Sequence, residues 1–178
     1  MVYPYSEKMR LSVQTVDTAD NIIGSTRRSQ LSEKPYNFRV VHGLLVNRGH
    51  LLMQQLPADH PRHPLSWGSS VAGYVLDKED CLSSLKRKAH EELSLSDFMV
   101  KKSLKFSMPD FRGSKFVYLY HLGMVDDSTL HQLAPNQAEI KGLAWFRIDD
   151  LVSVENRPVR VTPTFENILK YIPELLKS

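Results

Sequence analysis

Residues 73–95 read GYVLDKEDCLSSLKRKAHEELSL, and the periodicity of this stretch decides the fold. Asp80 is a helix-capping residue type, because its carboxylate can accept the first free backbone N–H groups. The spacing predicts a helix over 80–93. Leu82, Leu85, Ala89 and Leu93 stand at i, i+3, i+7 and i+11. At about 100° per residue they share one stripe, the expected buried face. Glu91 lies roughly opposite that stripe, Glu92 at its edge, and Lys88 between the two carboxylates. Read for charge alone, the cluster is a solvated flank in which Lys88 pairs with Glu91 and Glu92, at about 0.2–0.5 kcal/mol per pair. Read for chemistry, adjacent carboxylates on a rigid helix suit a hard divalent cation, which takes oxygen ligands and bridges to phosphates.

Outward from this helix the pattern is one of strands. Residues 10–17 alternate polar and apolar and predict a strand; a turn at 18–21 leads to Ile22 and Ile23, and 25–36 read as a polar arm. Residues 38–46 and 50–56 predict a hairpin about Asn47, Arg48 and Gly49. The 57–66 segment, with three prolines and two histidines, reads as an exposed loop. Residues 67–76 read as strand broken by glycines, and 99–108, 115–122 and 140–148 as further strands. Two helices are expected at the end, a short one near 149–154 and a longer one over 163–176. Mixed strands around one central helix, closed by a terminal helix, make an α+β or α/β sandwich and not a series of βαβ units.

The 178 residues suit a single domain. An apolar fraction of 42% and a charged fraction of 24% suit a packed core and exclude a disordered chain. The balance of 23 Lys+Arg against 20 Asp+Glu is mildly basic, with no concentrated basic stripe, so no nucleic-acid partner is expected. No apolar run approaches the roughly 20 residues that span a bilayer, so no membrane partner is expected. The first ten residues lack the basic-then-apolar order of a signal peptide. The single cysteine, Cys81, has no internal disulfide partner, and a cytoplasmic location is the expectation. Cys81 reads as a structural thiol, His42 as a satisfied core histidine, and Phe106, Phe111, Phe116, Tyr118 and Tyr120 as core or sheet surface rather than a base-stacking platform.

From Gly73 the spacing matches G-x5-E-x7-R-E-U-x-E-E-x-G-U, U being a bulky aliphatic. Gly73, Glu79, Arg87, Glu91, Glu92 and Leu95 fall at the required positions, and Ala89 stands for the first U. The stretch resembles the Nudix box, and the chain is identified as a member of that superfamily. The segment from Asp17 through Arg28, the hairpin, and Trp67 to Gly73 resemble the branch of isopentenyl diphosphate isomerase. Glu139 to Leu151, with Trp145, and the later Thr162-Pro163-Thr164-Phe165 are also similar to the family. The likeness spans residues 10–175 and implies one domain over 1–178. That domain has an N-terminal hairpin and arm over 1–36, the box over 73–95 and a C-terminal helix over 162–178. The implied architecture is a Nudix-type α/β/α sandwich with a mixed central sheet.

The resemblance implies a metal-dependent hydrolase that cleaves a phosphoanhydride in a small diphosphate-containing molecule, with Mg²⁺ or Mn²⁺ as cofactor. Glu91, Glu92 and Glu139 would be the catalytic and metal-binding carboxylates, and the Gly73 carbonyl a further ligand. Arg87 and Glu79 would be the pair that orients the helix. Arg39, Arg62 and Lys88 are candidate substrate contacts, with His60 and His63 beside Arg62 as a cationic rim. Specificity would lie in loops 57–66 and 123–138. Dimers are frequent in the family, so a homodimer is among the implied partners.

The chain departs from the box at Lys88, where Glu is expected, and at Ser94, where Gly is expected. Lys88 lowers the negative charge of the site by two units and can compete with a cation for Glu91 and Glu92. Three outcomes stay open. Glu91, Glu92 and Glu139 alone support hydrolysis; Lys88 touches the substrate phosphate; or hydrolysis is lost and the domain binds a ligand or a protein. The isomerase branch places Cys before the glycine and a metal-binding His after it. Here Ala72 and Tyr74 stand there, leaving no acid–base pair for allylic proton transfer. Gln55 stands where related sequences often carry an arginine.

Overall fold

The computed structural model describes residues 5–123, 127–155 and 157–177. Residues 1–4 and 178 of the expected domain, 124–126 of the expected loop 123–138, and residue 156 lie outside the described residues. The elements run α1 (Tyr5–Lys8), β1 (Ser12–Val16), β2 (Ile22–Arg27), β3 (Asn37–Asn47), β4 (His50–Gln55), β5 (Trp67–Gly68), β6 (Val71–Tyr74), α2 (Cys81–Leu93), β7 (Val100–Asp110), β8 (Gly113–Leu122), α3 (Asp127–His131), β9 (Gly142–Arg147), α4 (Ile148–Val152), α5 (Pro163–Leu169) and α6 (Ile172–Leu175).

β3 is the hub. Along one edge it pairs antiparallel with β1 and then β6, along the other it pairs parallel with β8, and its far end pairs with β4. β7 adds to β8, β2 to β1, and β9 and β5 to β4. The sheet is therefore mixed, and its strands are sided by their alternation. Val41, Leu45, Val71, Val75 and Leu122 pack with Leu85, Ala89 and Leu93 of α2. Leu44, Leu51, Met53 and Leu119 pack with Phe165, Ile168 and Leu169 of α5 and with Ile172 and Leu175 of α6. Helices thus cover both faces, the expected α/β/α sandwich. A third cluster, Val13, Leu31, Phe38, Val40 and Val117, seats the N-terminal hairpin and arm.

Three expectations change. β2 continues through Arg27 before a 3-10 turn over Arg28–Gln30, so the polar arm begins later than residue 25. The final helix is broken into α5 and α6. Pro173 sits in the first turn of α6, where its missing N–H costs nothing, whereas inside a continuous helix it would remove a bond and clash. On α2, Leu82 is 41% exposed, while Ser84, Leu85, Lys88, Ala89, Glu92 and Leu93 are buried. The buried face is rotated toward the charged flank because ion pairing lets charged groups enter it.

Asp80 caps α2, its carboxylate accepting from Ser83 N–H at 2.8 Å. Ser94 ends it with φ 56°, a left-handed conformation that glycine adopts without strain. The helix lies close over β6. A Cβ on Gly73 would meet Lys88 Cγ at 2.4 Å and Cδ at 2.7 Å, so glycine here opens the lane in which the Lys88 stem runs. Gly73→Ala is expected to cost about 1–3 kcal/mol by overpacking. In a Lys88→Ala background most of that cost is expected to vanish, as a double-mutant cycle in urea unfolding would show. Additive losses would remove the packing explanation.

Candidate active site

α2, β6 and the turn at 136–140 bring the predicted carboxylates together. Asn136 N–H donates to the Glu92 carbonyl (2.9 Å) and Ala134 N–H to the Leu93 carbonyl (3.0 Å), which docks the 134–140 segment on the end of α2. Glu139 thereby faces the helix flank. Glu79 accepts from Arg87 Nε (2.7 Å) and Nη2 (3.0 Å), from Ser84 Oγ (2.5 Å) and from Leu76 N–H (3.2 Å). Arg87 also donates to the Tyr74 carbonyl (3.2 Å) and to Glu91 (3.3 Å). The Glu79–Arg87 pair is half-buried and braces α2 against β6.

Lys88 occupies the centre. Its Nζ lies 3.0 Å from Glu92, 3.0 Å from Glu139 and 3.4 Å from Glu91. The plain pairing with Glu91 and Glu92 is present, and Glu139 completes a cage of three carboxylates. A second ammonium, Lys8 from α1, reaches Glu139 at 2.5 Å. Gln54 Nε2 (3.2 Å) and Ala72 N–H (3.1 Å) donate to the remaining oxygen of Glu92. Val75 N–H donates to the Arg39 carbonyl, so along β6 the backbone groups of residues 73 and 75 turn to β3 and those of Ala72 turn to α2. By this alternation the carbonyl beside Glu92 is that of Ala72, and Gly73 stands in the ladder opposite Val41.

Burial opposes charge on Lys88, but Glu92 and Glu139 override it and raise its pKa, so the ammonium stays protonated throughout the neutral range. Burial pushes the Glu139 carboxyl up, and Lys88 and Lys8 more than offset it, leaving it below the usual value. Glu92 is raised, by burial first and by neighbouring Glu139, despite Lys88. The two directions agree physically: one ammonium cannot fully serve three carboxylates, and the most buried of them is the first to take a proton.

Three carboxylates form a hard-oxygen donor set of the kind a divalent cation takes. The space between them, however, holds the Lys88 ammonium. Among the described residues no group of three or more His, Cys, Asp or Glu side chains is disposed to hold a metal ion. As folded, the site does not fit one.

The other candidates lie elsewhere. Arg39 Nε binds Asp20 (2.7 Å) and its Nη1 binds Gln14 (3.0 Å), beneath Tyr118 and apart from the caged ammonium. Arg62 pairs with Asp110 (2.7 Å) on the opposite face of the sheet. His42 is buried with Nδ1 2.8 Å from Ser69 Oγ, and burial pushes its pKa down to about 3. Burial pushes the Cys81 thiol up to about 11. Both read as structural groups. Lys8 and Gln54 carry no local pattern; a site lysine in an unpatterned N-terminal stretch has no signal short of the fold. No helix among the described residues is long and apolar enough to cross a membrane.

A family model for the NUDIX domain matches residues 36–165. The chain belongs to that family, and the family supports a hydrolase. A search of curated proteins finds no match. Among solved structures, DR0079 from Deinococcus radiodurans is similar with a TM-score of 0.71 at 20% identity, over 93% of this chain and 99% of that one. A Caenorhabditis elegans (C. elegans) Ap4A hydrolase aligns with a TM-score of 0.53 at 13% identity, over 78% and 98%. A bifunctional NMN adenylyltransferase/ADP ribose pyrophosphatase of Francisella tularensis, complexed with AMP and a Mn ion, aligns with a TM-score of 0.54 at 20% identity, over 78% and 41%. At these identities the likeness is one of fold.

Removing the caged ammonium tests the electrostatics. Lys88→Met is expected to cost about 3–5 kcal/mol at neutral pH, the loss for a broken buried pair. Without the ammonium, folded-state carboxylate pKa values rise above their unfolded values. That penalty is full above the folded values and disappears below the unfolded ones, near pH 4. Urea unfolding across pH should therefore show the variant converging on wild type in acid; an equal gap at both ends would contradict the cage.

Proposed function

We propose that this protein is a Nudix hydrolase for a small diphosphate-containing molecule whose turnover is held down by Lys88, so that it binds its ligand more than it consumes it. One observation carries the reading: the Lys88 Nζ sits where Glu91, Glu92 and Glu139 converge. With Glu79, Arg87 and Lys8 included, the site has four carboxylates and three cations, and it remains net negative. A diphosphate is repelled by such a site unless further positive charge accompanies it.

What the chain's own residues do is orient and exclude. Glu79 and Arg87 hold α2 in register with β6, Glu92 is immobilised by Gln54 and Ala72, and the Lys88 stem closes the lane over Gly73. The likeness to the isomerase branch does not extend to its chemistry, since Ala72 and Tyr74 supply neither a thiol nor an imidazole.

A second reading, the metal-dependent phosphoanhydride hydrolase with Mg²⁺ or Mn²⁺ at Glu91, Glu92 and Glu139, requires the Lys88 ammonium to leave the space between them, and the looser hold on Glu91 supports it. Its contacts to Arg87 and Lys88 are 3.3 Å and longer. Phosphate release from dinucleotides, nucleotide sugars, nucleoside triphosphates and prenyl diphosphates separates the two, with Mn²⁺ binding followed by electron paramagnetic resonance. The throttled reading expects weak Mn²⁺ binding and slow release in wild type and a gain of both in Lys88→Glu. Rapid, metal-dependent turnover in wild type, unchanged in Lys88→Glu, would establish the second reading in its place.

A further inference from the structure

Two ammoniums from distant parts of the chain meet on one oxygen. Glu139 Oε2 accepts from Lys88 Nζ at 3.0 Å and meets Lys8 Nζ at 2.5 Å, while Oε1 accepts from Asn136 Nδ2 at 3.3 Å. Like charges brought together in this way repel each other. They are also held unequally. Lys88 is shared by three carboxylates, and its stem is enclosed in the lane over Gly73. Lys8 arrives from α1, keeps 15% of its side chain exposed and is tied to Glu139.

The backbone beneath Lys8 is anchored from its downstream side. Arg28 N–H donates to the Leu11 carbonyl (2.9 Å) and Ser29 N–H to the Met9 carbonyl (3.0 Å), so the chain from Met9 onward is bound to the 3-10 turn that follows β2. Upstream, α1 is a single turn of four residues. Arg10 N–H donates to the Glu7 carbonyl (3.0 Å) and Leu11 N–H to the Lys8 carbonyl (3.2 Å), which joins that turn to β1. A helix this short does not hold itself in water. The Lys8–Glu139 pair therefore does much to place it, and α1 can swing about residues 8–11 without breaking the β1–β2 ladder.

We propose that α1 is an autoinhibitory latch on the candidate site, closed by Lys8 on Glu139, and that Lys8 is the exchangeable one of the two ammoniums. The latch deepens the reading above, on which it rests for the role of the site. With the latch closed, three carboxylates face two ammoniums and the cage carries one net negative charge; with Lys8 withdrawn, three face Lys88 alone and it carries two. The opened cage draws a cation more strongly and leaves Glu139 Oε2 with one donor in place of two. Lys88 stays, because its withdrawal would leave buried carboxylates without a counter-ion. The misfit between this site and a divalent ion thus has two parts, a fixed ammonium and a removable one.

A lysine-specific endoprotease reads the latch directly, since cleavage after Lys8 requires its ammonium to leave Glu139. The full chain is digested in EDTA and the products are followed by mass. Cleavage after Lys8 is expected to be about tenfold or more faster in Glu139→Gln than in wild type, the loss of a hydrogen bond to a charged group, when the rate follows the open population. Lys170, exposed at the end of α5 on the other face, is the control for global opening and is expected to be cut equally in both. Lys8→Met, a change in a single-turn helix, should fold, with thermal melting as the check. Followed by electron paramagnetic resonance, it is expected to bind Mn²⁺ about tenfold or more tightly than wild type, because one ammonium is gone from the cage. Equal cleavage after Lys8 in wild type and Glu139→Gln, a parallel rise at Lys170, or unchanged Mn²⁺ binding in Lys8→Met would overturn the latch. Lys88→Glu reports separately. A working latch with no gain of turnover in Lys88→Glu would defeat only the throttled-hydrolase reading, and that gain with wild-type Mn²⁺ binding in Lys8→Met only the latch.

Discussion

An ammonium buried among carboxylates has few alternatives: water is excluded, and withdrawal would leave like charges facing each other in a low-dielectric setting. Lys88 is in that position, and much of the surrounding structure is arranged by it. Its stem needs the lane that Gly73 provides, so α2 sits low on β6. Its charge draws Glu139 to the helix, which ties the 134–140 segment to the end of α2. Glu139 in turn holds Lys8, so the N-terminal helix is anchored at the same point. Four separate pieces of chain meet at one charge.

Charged side chains are gathered into separate ion networks on the two faces of the sheet. Around the caged ammonium carboxylates outnumber cations and are bound into a closed network, while Asp20 on the same face pairs with Arg39 and Lys105. On the other face, Asp110 is held between Arg62 and Lys115, and Arg62 lies on the Phe111 ring. The net charge of +3 hides these local networks because it averages over the whole chain. For an anionic ligand the local balance decides approach, since charges beyond about 8–10 Å are screened at ordinary ionic strength.

Legibility differed by the range of the interaction. The α2 helix, its Asp80 cap and the Lys88 pairs with Glu91 and Glu92 are contacts within a few residues, and periodicity exposes them. Ser94 as the helix terminator is likewise local. The split of the last helix was also local, written in Pro173, but the apolar run over 163–176 masks it. Leu82 shows the opposite failure: the stripe rule counts it as buried, yet at the first turn of α2 it is 41% exposed. Arg39 illustrates a third kind. A strand arginine could serve a substrate, and only the return of the N-terminal hairpin, which brings Asp20 and Gln14 to it, shows it engaged elsewhere.

By itself the sequence determined the family, the mixed sandwich and the identity of the acidic residues, because box spacing and alternation are short-range properties of a regular backbone. Only the tertiary structure decided what those acids hold. Glu139 lies 51 residues from Lys88 along the chain, and Arg62 lies 48 from Asp110. Such meetings depend on how strands pair and loops close, and no local pattern encodes them. The same acids on an exposed flank would keep their water and leave Lys88 mobile; enclosed by β6 and the 136–140 turn, they lose that water and the ammonium becomes their counter-ion.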